Sequence, residues 1–169
     1  GNSSGTHIGV APKADLWHGA VLTNCGPDSC GGKFSTVTKG IEWATENNAD
    51  IVSMSLGADG YSTDLIDPIQ NARQAGTLPI ASSGNDGAGT SGSPGNVYES
   101  VAVGATNSDD TVAFYSSGEE IDTSGDWGTD APSSWPERYT VPDIAAPGSQ
   151  VGSALPGGDY GIKSGTSMA

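Results

Sequence analysis

The sequence predicts an α/β fold in which a mostly parallel sheet carries helices on its faces. Two observations predict it. Short apolar runs alternate with segments whose apolar residues recur every three or four positions, and clusters of Gly, Ser, Asn and Asp separate the two. With 34% hydrophobic residues in 169, the chain has the length and apolar content of one ordinary domain.

Gly9-Val10-Ala11-Pro12 reads as a turn, and Ala14 to Leu22 as the first strand. Val37, Ile41 and Ala44 then share one face of a helix spanning Ser35 to Asn47. Ile51 to Ser55 is a short apolar run bounded by polar residues, the second strand. A second helix starts near Ser62 or Thr63 and stops before Gly76, with Leu65, Ile66, Ile69 and Ala72 facing inward. Pro68 sits deep enough in it to make the first turns irregular. Leu78 to Ser82 and Ser100 to Ala105 supply two more strands.

In parallel sheets ligands bind beyond the carboxyl ends of the strands. Ser55-Leu56-Gly57 and Ser82-Ser83-Gly84-Asn85-Asp86-Gly87 each follow a strand, and the chain finishes with Gly165-Thr166-Ser167-Met168-Ala169; all three are placed on one edge. Taken singly, the last segment also suits a helix N-cap and Gly-Asn-Asp-Gly a plain turn.

Charge narrows the partners. Twenty acidic residues against 6 basic ones give a formal net charge of -14, which repels nucleic acid and anionic membranes. No apolar run approaches the roughly 20 residues that a membrane-spanning helix needs. The acids are spread through the chain, which suits either a halophilic surface built for high salt or an ordinary acidic secreted protein; both readings stay open. Cys25 and Cys30 are spaced too widely for a CxxC motif, and no second pair completes a zinc site. A local disulfide, fitting an oxidising extracellular setting, and two free thiols are the alternatives.

Seven blocks stand in order along the chain: Gly9-Val10-Ala11-Pro12, Gly40-Ile41-Glu42-Trp43-Ala44, Val52-Ser53-Met54-Ser55-Leu56-Gly57, Ser83-Gly84-Asn85-Asp86-Gly87, Val101-Ala102-Val103-Gly104-Ala105, Ala146-Pro147-Gly148 and Gly165-Thr166-Ser167-Met168-Ala169. Together they resemble the subtilisin-like serine proteases, the subtilase family, and most of all its secreted haloarchaeal members, the halolysins. The resemblance implies a three-layer, doubly wound sheet with helices on both faces, residues 1–169 being a partial catalytic domain incomplete at both ends.

It also implies roles. Acyl transfer needs an oxygen nucleophile, a base and donors for the developing oxyanion. Ser167 resembles the nucleophile, at the N-terminus of a helix whose dipole favours negative charge, and Asn85 resembles the oxyanion-hole side chain. Gly31 and Gly32 resemble the edge that pairs with an extended peptide, with Phe34 near the pocket for an upstream residue. Ser55, Leu56 and Gly57 resemble the opposite edge and one wall of the primary pocket; Ser82, Ser83 and Gly84 line the other wall, with Asp86 and Gly92 towards the bottom. Such a pocket implies broad specificity for large residues with tolerance of basic ones. The glycines would alternatively serve only to permit turns.

The family's triad aspartate and histidine have no counterpart here. Gly5-Thr6-His7 imitates part of the histidine motif, but Ser4 stands where the catalytic histidine is required, and His18 falls in a strand-like run as a structural residue. The expectation is therefore a fragment inactive by itself. Calcium is the expected cofactor, bound by the loop of Gly1, Ser3, Gly5 and His7, where Ser3 replaces the usual Asn, and by the carbonyls of Gly95 and Val97; no organic cofactor is implied. Partners are protein or peptide substrates, with a propeptide, and the protein is expected to be secreted, extracellular and monomeric. One segment departs from the family pattern: Glu119 to Val141 is long and acidic, and is expected to be a solvated surface insertion without function.

Overall fold

The computed structural model describes residues 10–26, 30–155 and 157–169. Its centre is a parallel sheet of four strands lying in sequence order: β1 (Ile51–Met54), β2 (Leu78–Ser82), β3 (Val101–Thr106) and β4 (Ile144–Pro147). In register, Met54 lies beside Ala81, Ala81 beside Ala102 and Val103 beside Ile144.

Two helices cover one face. Helix α1 (Phe34–Glu46) buries Val37, Ile41 and Ala44, the stripe that its periodicity marks. A single 3-10 turn at Thr63–Leu65 leads into α2 (Ile66–Ala75), so the irregular start expected near Pro68 is present. Pro68 is the third residue of α2, where its missing N–H costs no intrahelical bond. Gly76, at φ 99°, adopts the left-handed conformation that ends the helix. Leu65, Ile66, Ile69 and Ala72 are buried against Met54, Ala81 and Ala102 of the sheet, forming one core. Burying each such side chain contributes about 1.5–3 kcal/mol. The two long helices described lie together on this face.

The first expected strand does not form. Residues 14–22 make no ladder, the sheet ends at β1, and Leu16 and Trp17 are 92% and 57% exposed. β-propensity yields a strand only where a neighbour pairs with it. Val21 nevertheless packs on the core, and the Trp17 ring lies 5.8 Å from that of Trp43 on α1.

Cys25 and Cys30 are bridged, joining the antiparallel pair Asn24–Cys25 and Cys30–Gly31, which settles the alternative left open above.

Residues 119–141 also differ from expectation. Glu119–Asp122 pairs antiparallel with Arg138–Val141, and the loop between them, carrying the short helix α3 (Thr123–Asp126), turns its apolar residues inward. Ile121, Trp127, Trp135 and Val141 are buried in the core cluster, while the acids stay outside. The segment is a packed hairpin because two tryptophans and an isoleucine supply the apolar area that charge counting overlooks. Trp127 Nε1 donates to Tyr139 Oη, and Tyr139 Oη donates to the Asn96 carbonyl. Trp135 Nε1 and Gln70 Nε2 both donate to Glu99 Oε1, tying the hairpin to α2. Tyr61 donates to Glu119 Oε1 at 2.9 Å. Burial pushes the phenols of Tyr61 and Tyr139 well above the usual tyrosine range, with the Glu119 hydrogen bond adding to the effect at Tyr61.

Candidate active site

At the carboxyl ends of the strands the chain leaves β1 at Ser55, β2 at Ser83 and β4 at Gly148, and these exits assemble the site. The Gly148 carbonyl accepts the Gly165 N–H at 3.0 Å, which brings the C-terminal segment beside β3 and β4. There Gly165 to Met168 form a turn closed by Met168 N–H on the Gly165 carbonyl, with Thr166 buried and Ser167 half-buried.

Asn85 reaches this turn from the loop after β2. Its Oδ1 accepts the Thr166 N–H at 2.9 Å and the Thr166 hydroxyl at 3.1 Å. An amide whose oxygen is committed in this way turns its Nδ2 donors elsewhere. Gly165, Ser167 and Asn85 crowd one point: a Cβ on Gly165 would lie 3.6 Å from Asn85 Oδ1, 3.7 Å from the Ser167 nitrogen and 3.8 Å from Asn85 Nδ2.

Ser117 holds the Asn85 loop from behind. Its Oγ accepts the Asp86 N–H and bonds the Thr90 hydroxyl, its N–H donates to the Gly84 carbonyl, and its own carbonyl accepts the Ser83 hydroxyl. Gly84 lies against this anchor at φ 116°, where a Cβ would approach Ser117 Oγ to 2.8 Å, so both the conformation and the space demand glycine.

Two adjoining clefts open here. The first, of about 240 Å³, is lined by Leu56, Gly57, Ala58, Asp59, Ser82, Gly84, Asn85, Asp86, Gly92 and Ser167. The second, of about 390 Å³, is lined among others by Gly31, Gly32, Phe34, Ser55, Leu56 and Gly57, with Leu22, Val37 and Leu65 giving it an apolar floor. Leu56, Gly57 and Ala58 form the wall between them. Ser55 Oγ donates to the Ser167 carbonyl at 3.0 Å, joining this wall to the turn that carries Ser167.

The residues singled out in the sequence thus fall into distinct places. Ser167, Asn85, Ser82, Gly84, Leu56 and Gly57 share the first cleft, with Asp86 and Gly92; Gly31, Gly32, Phe34 and Ser55 line the second. Ser83 lines neither, since its side chain is buried on Ser117. His18 is exposed and lines neither cleft. Sequence reasoning missed Thr166 as the partner of Asn85, Ser117 as the anchor, and Asp59 as a cleft residue. Thr166 lies within the Gly165–Ala169 motif, whereas Ser117 is 31 residues from Asp86, a distance at which periodicity carries no signal.

Of the expected calcium ligands, Gly1, Ser3, Gly5 and His7 lie outside the described residues. Gly95 and Val97 are buried, and the Val97 carbonyl already accepts the Ser100 N–H at 2.8 Å. Calcium takes about six to eight oxygens. Two carbonyls, one of them committed, do not fit that ion by themselves, and among the described residues no three His, Cys, Asp or Glu gather around a point.

A family model described as Subtilase family, Peptidase_S8, matches residues 1–169. Subtilisin E of Bacillus subtilis (strain 168) is 36% identical over 188 residues, covering 100% of this chain and 43% of its own length. Subtilisin Savinase of Lederbergia lenta is 33% identical over 184 residues, covering 100% and 59% respectively. Among solved structures, Sphericase superposes with a TM-score of 0.78 at 34% identity, covering 100% of this chain and 55% of that one. The chain spans about half the length of these relatives.

Proposed function

We infer, from the premise that this chain belongs to the subtilase family, that the full protein is a serine endopeptidase cleaving peptide bonds through an acyl-enzyme on Ser167. One observation carries the reading. Thr166 pins the Asn85 amide by its oxygen and leaves Nδ2 to donate, in the cleft that Ser167 lines. In this mechanism Ser167 Oγ gives its proton to a base and attacks the scissile carbonyl carbon. The carbonyl electron pair moves onto oxygen, where Asn85 Nδ2 donates to it; collapse expels the protonated amine, and water then releases the acyl group.

The remaining groove suits an extended peptide. Residues 31–32 and 55–57 offer backbone along two sides of the second cleft, so that main-chain pairing binds protein or peptide substrates of many sequences. The Cys25–Cys30 bridge supports a secreted, extracellular protein, and the charge of -14 supports a halophilic enzyme of the halolysin type.

A peptide-binding homologue without turnover is the second reading, because a fold shared with an enzyme family does not by itself establish turnover. Treating the full-length protein with phenylmethylsulfonyl fluoride separates the two. The enzyme acquires the sulfonyl mass on the peptide containing Ser167 and loses casein hydrolysis, and Ser167→Ala loses both. A full-length protein that stays unlabelled and inert towards casein overturns the catalytic reading.

A further inference from the structure

Two hydrogen bonds meet on the carbonyl oxygen of Gly148. One comes from the Gly165 N–H, which opens the turn carrying Ser167, and the other from the phenol of Tyr115, each at 3.0 Å. A carbonyl has two lone pairs, so both are committed. The phenol reaches Ser149 Oγ as well, at 2.9 Å. Ser149 spends its single hydroxyl proton on Asn107 Oδ1 at 2.7 Å, so Tyr115 is the donor to both of its neighbours. Between Gly148 and Gly165 the chain runs out through the antiparallel pair Val151–Ala154 and Tyr160–Lys163, whose residues are partly or fully exposed. The place of the Ser167 turn therefore depends on where the Gly148 carbonyl stands.

The main chain of the same tyrosine holds the other half of the site. The Tyr115 carbonyl accepts the Gly87 N–H at 2.9 Å, two residues beyond Asn85. Gly87 takes a φ of 85°, and a Cβ there would come within 3.3 Å of the Phe114 carbonyl, so the Asn85 loop lies close against this segment. Ser117 fixes that loop alone and Thr166 fixes the Asn85 amide. Tyr115 is bonded to the supports of both groups, while it is itself half-buried and lines neither cleft.

Resting on the endopeptidase reading above, we propose that Tyr115 is a positioning residue for the reaction, its phenol and its carbonyl holding the Ser167 turn and the Asn85 loop in one mutual geometry. Attack and oxyanion donation act on the two atoms of one substrate carbonyl, so the separation of the two groups matters more than the place of either. A misplacement of about 1 Å is worth up to about 10²-fold in rate. Removing the phenol's proton, with the Gly165 N–H still on the Gly148 carbonyl, releases part of that constraint.

Tyr115→Phe in the full-length protein keeps the ring and removes the proton. On a peptide 4-nitroanilide, kcat counted per Ser167 that takes the sulfonyl label is expected to fall about tenfold, with KM within about twofold. Counting per labelled site keeps unfolded molecules out of the comparison. The melting temperature is expected to move by less than about 4 °C, since the Gly148 carbonyl and Ser149 Oγ each keep another bond. Replacing Tyr115 by 4-aminophenylalanine returns a donor and most of the rate, whereas a packing role would be met by Phe and would not respond. In an Asn85→Ala background Tyr115→Phe costs less than about twofold, because no second group remains to be held in step. A kcat unmoved by Tyr115→Phe, a loss confined to KM, or a full tenfold loss on the Asn85→Ala background overturns the proposal and leaves the endopeptidase reading intact. A natural full-length protein that cleaves no peptide and takes no sulfonyl label at Ser167 overturns both.

Discussion

Thr166 donates both its backbone N–H and its hydroxyl to one atom, the Oδ1 of Asn85, at 2.9 and 3.1 Å. The neighbour of the proposed nucleophile therefore sets the orientation of the proposed oxyanion donor.

Asn85→Ala in the full-length enzyme is expected to lower kcat by about 10²–10³ with a small change in KM, because the lost donor acts on charge that develops only in the transition state. Because Asn85 Oδ1 accepts the N–H of buried Thr166, the same variant is also expected to lose about 1–3 kcal/mol of stability, measured separately by urea unfolding. A loss confined to KM would assign Asn85 to substrate binding.

Thr166→Val removes the hydroxyl that also bonds the Gly84 carbonyl at 3.2 Å, while the N–H to Asn85 remains. The expected fall in kcat is about tenfold, set by an amide held by one bond rather than two. Thr166→Ser restores the hydroxyl and most of the rate, and failure of that rescue would tie the effect to packing of the methyl group.

Ser117→Ala removes the acceptor of the Asp86 N–H in a part-buried place, while the Thr90 hydroxyl keeps its bond to the Gly87 carbonyl. Unfolding in urea should show a loss of about 1–3 kcal/mol. The same variant loosens the loop carrying Asn85, so kcat falls as well, although Ser117 touches no substrate.

Trp135→Ala is expected to cost about 3–5 kcal/mol in the same measurement, since the ring is buried against Trp127 and Tyr139 and its Nε1 serves Glu99. A change below about 0.5 kcal/mol would mean that residues 119–141 are solvated after all.

Alkaline pH should destabilise the fold. Tyr61 and Tyr139 have phenols raised by burial, so above the ordinary tyrosine value of 10.0 the unfolded chain releases protons that the folded one retains. Their contribution is complete below pH 10 and is lost progressively above it. Melting temperatures are expected to fall from pH 10 upward, and Tyr61→Phe should flatten that fall.

The helices were legible because the spacing of Val37, Ile41 and Ala44, and of Leu65, Ile66, Ile69 and Ala72, is a local pattern that local packing obeys. Strands β2 and β3 were legible as apolar runs between turn residues. Ala14 to Leu22 also reads as a strand-like run and forms no ladder, because a strand depends on a partner that a local run does not name. Trp127 and Trp135 were hidden for the opposite reason: acids surround them in sequence, and only the pairing of Glu119–Asp122 with Arg138–Val141 turns the rings inward. Within the site, Ser167 and Asn85 announced themselves through short motifs, whereas Asp59 enters the cleft through the pairing of Asp59 with Gly92, which no motif records.

The four tryptophans divide into two optical populations. Trp127 and Trp135 lie edge to face at 5.3 Å inside the core, whereas Trp17 and Trp43 are exposed on the other side of α1. Emission from the first pair is expected to be blue and shielded from acrylamide, and emission from the second red and quenchable. A single fluorescence titration therefore resolves loosening of the 119–141 hairpin from loosening of the segment before α1, without a label.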